Sequence, residues 1–549
     1  MADYAGTDDP VLDEAAIALV AELGERRHVA EGEYLYRAGD VTYDFFVLVD
    51  AEVEVLTTVD CTEQVLVRRG PGRFLGELNM LSGLRVLVSA RVTKAGEVVV
   101  VPRERLHALM ATNSRLGDTI LTAFIARRAR LLSSSATSSI RVIGSRYSPG
   151  SLRLREFLVR SLIPHQWLDP DADPQVEDVL RHFGIGPKDL PVVIVTGEVL
   201  RRPSPGELSS YLGLTVESLP GRCFDLVVVG GGPAGLAAAV YGASEGLRTL
   251  GLDSTAPGGQ AGTSSRIENY LGFPMGISGM ELTQRAVVQA EKFGAFLTVP
   301  CAAVSLRSQA GHLVVHLSDG TDVAGRAVIA ATGAAYRRLD AERLEDFEGR
   351  GVFYAATEME ARMCTDDHVI VVGGGNSAGQ AAIFMAQNGC SVTVVIRARD
   401  LGQSMSRYLL DRIEADPKIE VRTETRVVAL DGDGHLASVH LAGPDGQSEV
   451  KCAGLFSFIG AEPASQWLSG CAALDNQGFV LTDLSVVPAG LGETWDVLGR
   501  SPLPFETSHP GLFAVGDVRA GSTKRVAAAV GEGSSAVRSV HQYLAFAHQ

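Results

Sequence analysis

Two glycine-rich turns, in FDLVVVGGGPAG (residues 224–235) and VIVVGGGNSA (369–378), carry the spacing that can hold a dinucleotide. In the first, Gly230 permits the tight turn, Gly232 lets backbone approach a pyrophosphate, and Gly235 lets helix and strand pack closely. The next strand, RTLGLD, ends in Asp253, whose carboxylate can accept ribose hydroxyls. In the second turn Gly373, Gly375 and Ala378 hold the three positions, but the strand that follows leads into Arg397, with Arg399 two residues on. Guanidinium groups suit a 2′-phosphate, which favours NADPH over NADH. The competing reading is a solvated strand end, and Asp400 beside the arginines keeps it open.

The elements that must position these residues are strand–turn–helix units. Each turn follows a short valine-rich run of the kind a buried parallel strand shows and precedes a helical run, LAAAVYGASEG or GQAAIFMAQNG. A chain of 549 residues divides into several domains. Its formal net charge of -16 disfavours nucleic acid and anionic lipid as partners. No apolar run reaches membrane-spanning length, and the acidic opening MADYAGTDDPVLDEAA is unlike a secretion signal. Seven cysteines are scattered without a C-x-x-C pair or metal-like cluster, which fits a reducing cytoplasm.

Five further segments occur in order: PGGQA (257–261), RIENYLGFP (266–274), ATG (331–333), GLFAVGDVR (511–519) and KRVAAAVGEGS (524–534). With the two turns, they resemble the low-molecular-weight thioredoxin reductases. That resemblance covers about 222–549. It implies that the first turn holds FAD and that an inserted second unit holds NADPH. It also implies that Gly259, Gln260 and Asn269 line the flavin, that Thr332 and Gly333 lie near its nucleotide half, and that Gly516 and Asp517 reach its ribityl chain. Arg525 and Val526 then match the segment beside the flavin ring.

The same family carries C-A-T-C after a G-V-x-Y-like stretch. Here GVFY is followed by Ala355, Ala356, Thr357 and Glu358, so both sulfurs of the dithiol are absent and thiol–disulfide exchange has no nucleophile there. Cys364, six residues beyond Glu358, has no sequence neighbour to pair with and reads as a small hydrophobe. Hydride transfer from nicotinamide to flavin needs no cysteine.

Residues 28–59 show short alternating strands with glycine turns, as in a β-roll. RFLGELNMLSGLRVLVSARV (73–92) then resembles the phosphate-binding cassette of cyclic nucleotide-binding domains, with Gly76 and Glu77 at its start. The family's phosphate-pairing arginine falls on Val86, and Arg85 sits one place early, a slip that reverses direction in a strand. The order of elements from 140 resembles a glutaredoxin-like thioredoxin fold, with Pro191 as its cis-proline. Its C-P-Y-C site is replaced by Ser145, Arg146, Tyr147 and Ser148.

The expected architecture is multidomain: a β-roll cyclic nucleotide-binding-like domain (1–132), a linker (133–139), a cysteine-free α/β thioredoxin-like module (140–218), and two Rossmann-like units of thioredoxin reductase type. The FAD unit comprises 222–340 and 463–549, and the NADPH unit 341–462. The expected activity is NADPH-dependent reduction of a non-dithiol small molecule, such as a quinone or oxygen, by a cytoplasmic homodimer under possible control by a cyclic nucleotide. A ferredoxin- or flavodoxin-type protein partner, an atypical thioredoxin reductase and a non-turning flavin redox sensor remain open.

Overall fold

The structure, a computed structural model, describes residues 8–546 apart from 60–61, 83, 134–139, 147, 172, 174–175, 196–197, 216–222, 265, 268, 310, 349, 355, 357, 404 and 487–492. The expected linker 133–139 lies almost wholly outside the described residues, as do Tyr147 and Ala355.

The N-terminal residues form two four-stranded sheets with antiparallel pairing, one running Glu25–Val29, Gly96–Val101, Phe45–Leu48, Phe74–Leu75 and the other Tyr34–Tyr36, Ser89–Lys94, Glu52–Val59, Thr62–Arg69. Alternating valines and phenylalanines pack between them, and Phe45, Phe74 and Phe124 form an aromatic cluster at ring separations of 5.4–6.4 Å. Phe124 comes from the long helix Ser114–Ser133, which closes the roll.

A central module follows. Ile140–Ile143 pairs parallel with Gln166–Leu168 across the helix Pro149–Arg160, and Val192–Val195 pairs antiparallel with Ile140–Ile143 and Glu198–Arg201. The Leu190–Pro191 peptide is cis.

The first Rossmann unit is a seven-stranded sheet in which Cys223–Val229 lies between Thr249–Leu252 and Asp322–Ala330, all parallel, with Leu512–Ala514 returning to pair with Asp322–Ala330. The second is a five-stranded parallel sheet centred on His368–Val372, with a three-stranded antiparallel layer beside it. Ala334–Tyr336 and Ala461–Pro463 pair antiparallel where the chain leaves the first unit and returns.

The bodies share apolar cores. Leu84 and Leu87 of the cassette are buried among Phe157, Leu158 and Val193 of the central module, together with Val299 of the first Rossmann unit. Removing each leucine from water contributes about 1.5–3 kcal/mol. Leu162 of the central module and Val288 of the helix Gly279–Lys292 belong in turn to the β-roll core.

Candidate functional site

Segments far apart in the chain meet at the N-terminus of the helix Pro233–Ser244, whose proline opens the first turn and whose small residues are buried almost throughout. Gly230 has φ +116°, and a Cβ there would lie 2.2 Å from the Ala331 carbonyl oxygen. A Cβ on Gly235 would come within 1.8 Å of Gly230 O, so the helix closes on the strand only with glycine there. Gly232 faces Gly259, and Gly516 and Gly533 close on Ala234. Backbone therefore lines the cradle, and its N–H groups and helix dipole suit a pyrophosphate.

Side chains brace this cradle. Asp253 follows its strand as expected, but its carboxylate accepts from the backbone N–H of Gly231 (2.8 Å), Thr255 (2.9 Å) and Ala256 (3.1 Å). Burial raises its pKa above the ordinary carboxylate value, partly offset by those N–H groups and by Arg160. Thr332 Oγ1 donates to Ala464 O at 2.6 Å, and Ala464 N donates to Gly333 O at 3.0 Å, tying the ATG segment to the returning chain. Gln260 Nε2 donates to Ala334 O. Gly516 N donates to Glu532 (2.7 Å), which also receives Arg519 and Ser522. Burial raises the pKa of Asp517, opposed by Lys524. Val526 begins the helix Val526–Phe546, with Arg525 exposed just before it. Asn269 is exposed on a loop closed by the Ile267–Ile277 bridge.

The second turn has the same construction. Gly373 has φ +141°, with the Phe458 carbonyl oxygen 2.4 Å from where a Cβ would sit. Gly375 caps the helix Asn376–Gln387, and Ala378 is fully buried within it. A Cβ at Gly375 or at Gly333 meets nothing within 4 Å, so open space remains where a ligand would approach. Arg397 is exposed, whereas Arg399 pairs with Glu424 at 3.0 Å and Asp400 accepts from Gly402 N.

These residues match a known family. Residues 224–533, more than half the chain, fit the family model of pyridine nucleotide-disulphide oxidoreductases. The chain belongs to this family. The oxidoreductase is 34% identical over 324 residues to a thioredoxin reductase of Mycolicibacterium smegmatis, covering 58% of this chain and 96% of that relative. It is 32% identical over 325 residues to one from Treponema pallidum, covering 58% and 97%. The crystal structure of Lactococcus lactis thioredoxin reductase superposes with a TM-score of 0.52 at 27% identity, over 59% of this chain and 99% of that one. The oxidoreductase is an NAD(P)H-dependent flavoprotein that uses FAD and NADPH, and the open glycine cradles fit both. Residues 26–113 fit the model of a cyclic nucleotide-binding domain.

Four of the described cysteines, Cys301, Cys364, Cys390 and Cys452, are buried, whereas Cys223 is exposed. Cys364 is 1% exposed in the core of the second Rossmann unit, and burial pushes its thiol up to about 12. Cys301 and Cys452 are likewise pushed up to about 12, and Cys390 donates to Cys364 O. Ala356 is buried in the same core, and Glu358 opens the helix Glu358–Met363.

In the β-roll, the polar groups of Gly76 and Glu77 already have protein partners. Glu77, expected to accept a sugar hydroxyl, is 6% exposed and forms a two-pronged ion pair with Arg128, whose Nη2 lies 2.6 Å from Oε2. Arg127 donates to Gly76 O (2.7 Å) and Phe74 O (3.1 Å). Arg85 sits between the two bodies: its backbone N–H donates to Leu212 O and its guanidinium lies 5.9 Å from the Tyr211 ring, while Nη1 donates to Gly39 O of the β-roll at 3.4 Å and the buried Nε has no partner among the described residues. Val86 is buried. Among the residues the sequence did not single out are Arg128, Arg160, Glu291 and Glu532. The RRAR run on an otherwise apolar helix was the available signal for the first.

Among the described residues no helix is long and apolar enough to cross a membrane, and no group of three or more His, Cys, Asp or Glu could hold a metal ion.

Proposed function

We propose that this flavoprotein transfers reducing equivalents from NADPH to a small non-dithiol acceptor, with a quinone or oxygen as the leading classes. The observation that carries the reading is the state of the sulfurs: the dithiol positions are Ala355 and Glu358, and the neighbouring Cys364 is a buried thiol held protonated. When bound, FAD supplies the two-electron chemistry between nicotinamide and acceptor.

The protein's own residues supply position and charge. Gly230, Gly232 and Gly235 present backbone to the flavin pyrophosphate, Asp253 fixes the turn beneath it, and Asp517 with Gly516 holds the far end. Gly373, Gly375 and Ala378 do the same for NADPH, with Arg397 reading its 2′-phosphate. Residues 140–218 are a thioredoxin-like module that has lost its cysteines and serves as an adaptor. The cyclic nucleotide-binding domain regulates the reaction if its ligand can displace Arg128 from Glu77. A cytoplasmic homodimer is the expected form.

The experiment is a stopped-flow acceptor screen on the NADPH-reduced protein, with and without cyclic AMP or cyclic GMP. Rapid reoxidation by quinone or oxygen, retained after all thiols are alkylated, is the expected result. Activity abolished by alkylation, with thioredoxin as the acceptor, would overturn it. A second reading, a non-turning flavin sensor, is favoured by the absence of cysteines at both 145/148 and 355/358. Turnover well below about one per second with every acceptor would select it.

A further inference from the structure

We propose that Arg160 of the central module is the positioning residue for the flavin loop, and that the β-roll sets its position through Arg128. The inference rests on the assignment of residues 256–260 to the flavin cradle. Arg160 ends the helix Pro149–Arg160, and its side chain is 9% exposed. Its Nη2 donates to Ala256 O (2.8 Å), Pro257 O (3.1 Å) and Gly259 O (3.2 Å), while Nε also reaches Pro257 O at 3.2 Å. Nη1 is held by Glu156 one turn back, at 2.8 Å.

One guanidinium thus gathers three carbonyls of a loop that contains Gly258 at φ +104° and Gly259 at φ +52°. Two successive glycines have little intrinsic preference, so such a loop is ordered by what grips its backbone. Arginine presents its donors as a planar fork, which a lysine cannot reproduce.

The grip is itself held from the other side. Leu162, two residues beyond Arg160, has φ +55°, a strained conformation for a branched residue that persists only where its surroundings impose it. The Leu162 carbonyl accepts from Arg128 Nη1 at 2.7 Å, and Arg128 is fixed by Glu77 of the cassette. The Leu162 side chain is buried in the β-roll core. Contacts from Glu77 to Arg128 to Leu162, the two-residue chain link from Leu162 back to Arg160, and the contacts of Arg160 with residues 256–259 therefore join the cassette to the loop under the flavin.

The test is titration of the flavin-stripped full chain with FAD, together with the visible spectrum of the bound flavin and NADPH affinity. Arg160→Gln is expected to weaken FAD binding roughly tenfold, one factor of about 1.4 kcal/mol, and to shift the flavin spectrum while NADPH affinity is unchanged. Arg160→Lys is expected to recover only part of the affinity. Unchanged FAD affinity and spectrum in both variants would overturn the proposal. If Arg160→Gln fails to fold, the lysine variant decides alone, with wild-type behaviour counting against the role. A wild-type chain that binds no flavin would instead defeat the flavin assignment.

Discussion

The β-roll cassette and the flavin cradle both carry the residues of a nucleotide site, but they differ in where the polar groups go. At the cradle the glycines around Gly230 let backbone segments close on one another while Gly333 faces open space, and the charged groups brace the loops from behind, as Asp253 and Glu532 do. At the cassette the Glu77 carboxylate and the Gly76 carbonyl are already bonded to Arg128 and Arg127. The comparison teaches that a motif can persist while its donors and acceptors serve an interface. A ligand at the cassette must then compete with a buried ion pair, whereas one at the cradle meets preformed space.

Breaking the ion pair should have the largest effect. Arg128→Ala leaves the Glu77 carboxylate buried without its partner and is expected to cost about 3–5 kcal/mol in urea unfolding. Replacing both residues, as Glu77→Gln with Arg128→Met, should restore much of that. Next comes Gly235→Ala, whose Cβ would meet Gly230 O at 1.8 Å. Such overpacking costs about 3 kcal/mol and should appear as a lowered flavin-to-protein ratio with the β-roll still folded.

A third test concerns the junction beneath the cassette. Glu291, on the helix Gly279–Lys292, faces Arg128, Arg103 and Glu77, and burial pushes its carboxyl from the ordinary 4.5 up to about 8. Between those values the folded protein keeps a proton that the unfolded chain releases. The Glu291 contribution is therefore complete below pH 4.5 and is lost as pH rises to about 8. Glu291→Gln should remove that decline from the melting temperature, and an unaltered profile would show that the carboxyl is solvated.

At the second turn, Arg397→Ala should raise the KM for NADPH about tenfold, or about 1.4 kcal/mol, without changing that for NADH. Arg399→Ala, which removes a residue already paired with Glu424, should change it less than about twofold. The smallest effect is expected from Cys364→Ala, with turnover retained and stability lowered by less than about 1.5 kcal/mol.

Much of the site was legible because its requirements are local. The Gly230 and Gly373 turns need positive φ and space for backbone, which spacing along one strand–turn–helix unit reveals. The absent sulfurs at 355 and 358 are likewise visible in the chain itself. The convergence of Gly230, Gly259, Gly333 and Gly516 was legible only through resemblance, since nothing in their local sequences specifies a shared cradle. Asp253 follows its strand as the sequence suggests, but its three backbone bonds depend on how the following loop folds back and leave no local signal. The ion pair of Glu77 has no local signal because its partner lies 51 residues away.

The two dinucleotide turns, the lack of any C-x-x-C pair and the β-roll pattern can be read from the chain alone. These depend on steric needs and side-chain chemistry that act over a few residues. Tertiary packing sets the pairing of Arg128 with Glu77, the exposed ion pair of Arg399 with Glu424, and the grip of Arg160 on the carbonyls of residues 256–259. Those outcomes depend on which charged and polar groups are brought together and shielded from water, and that is set by packing between segments far apart in the chain.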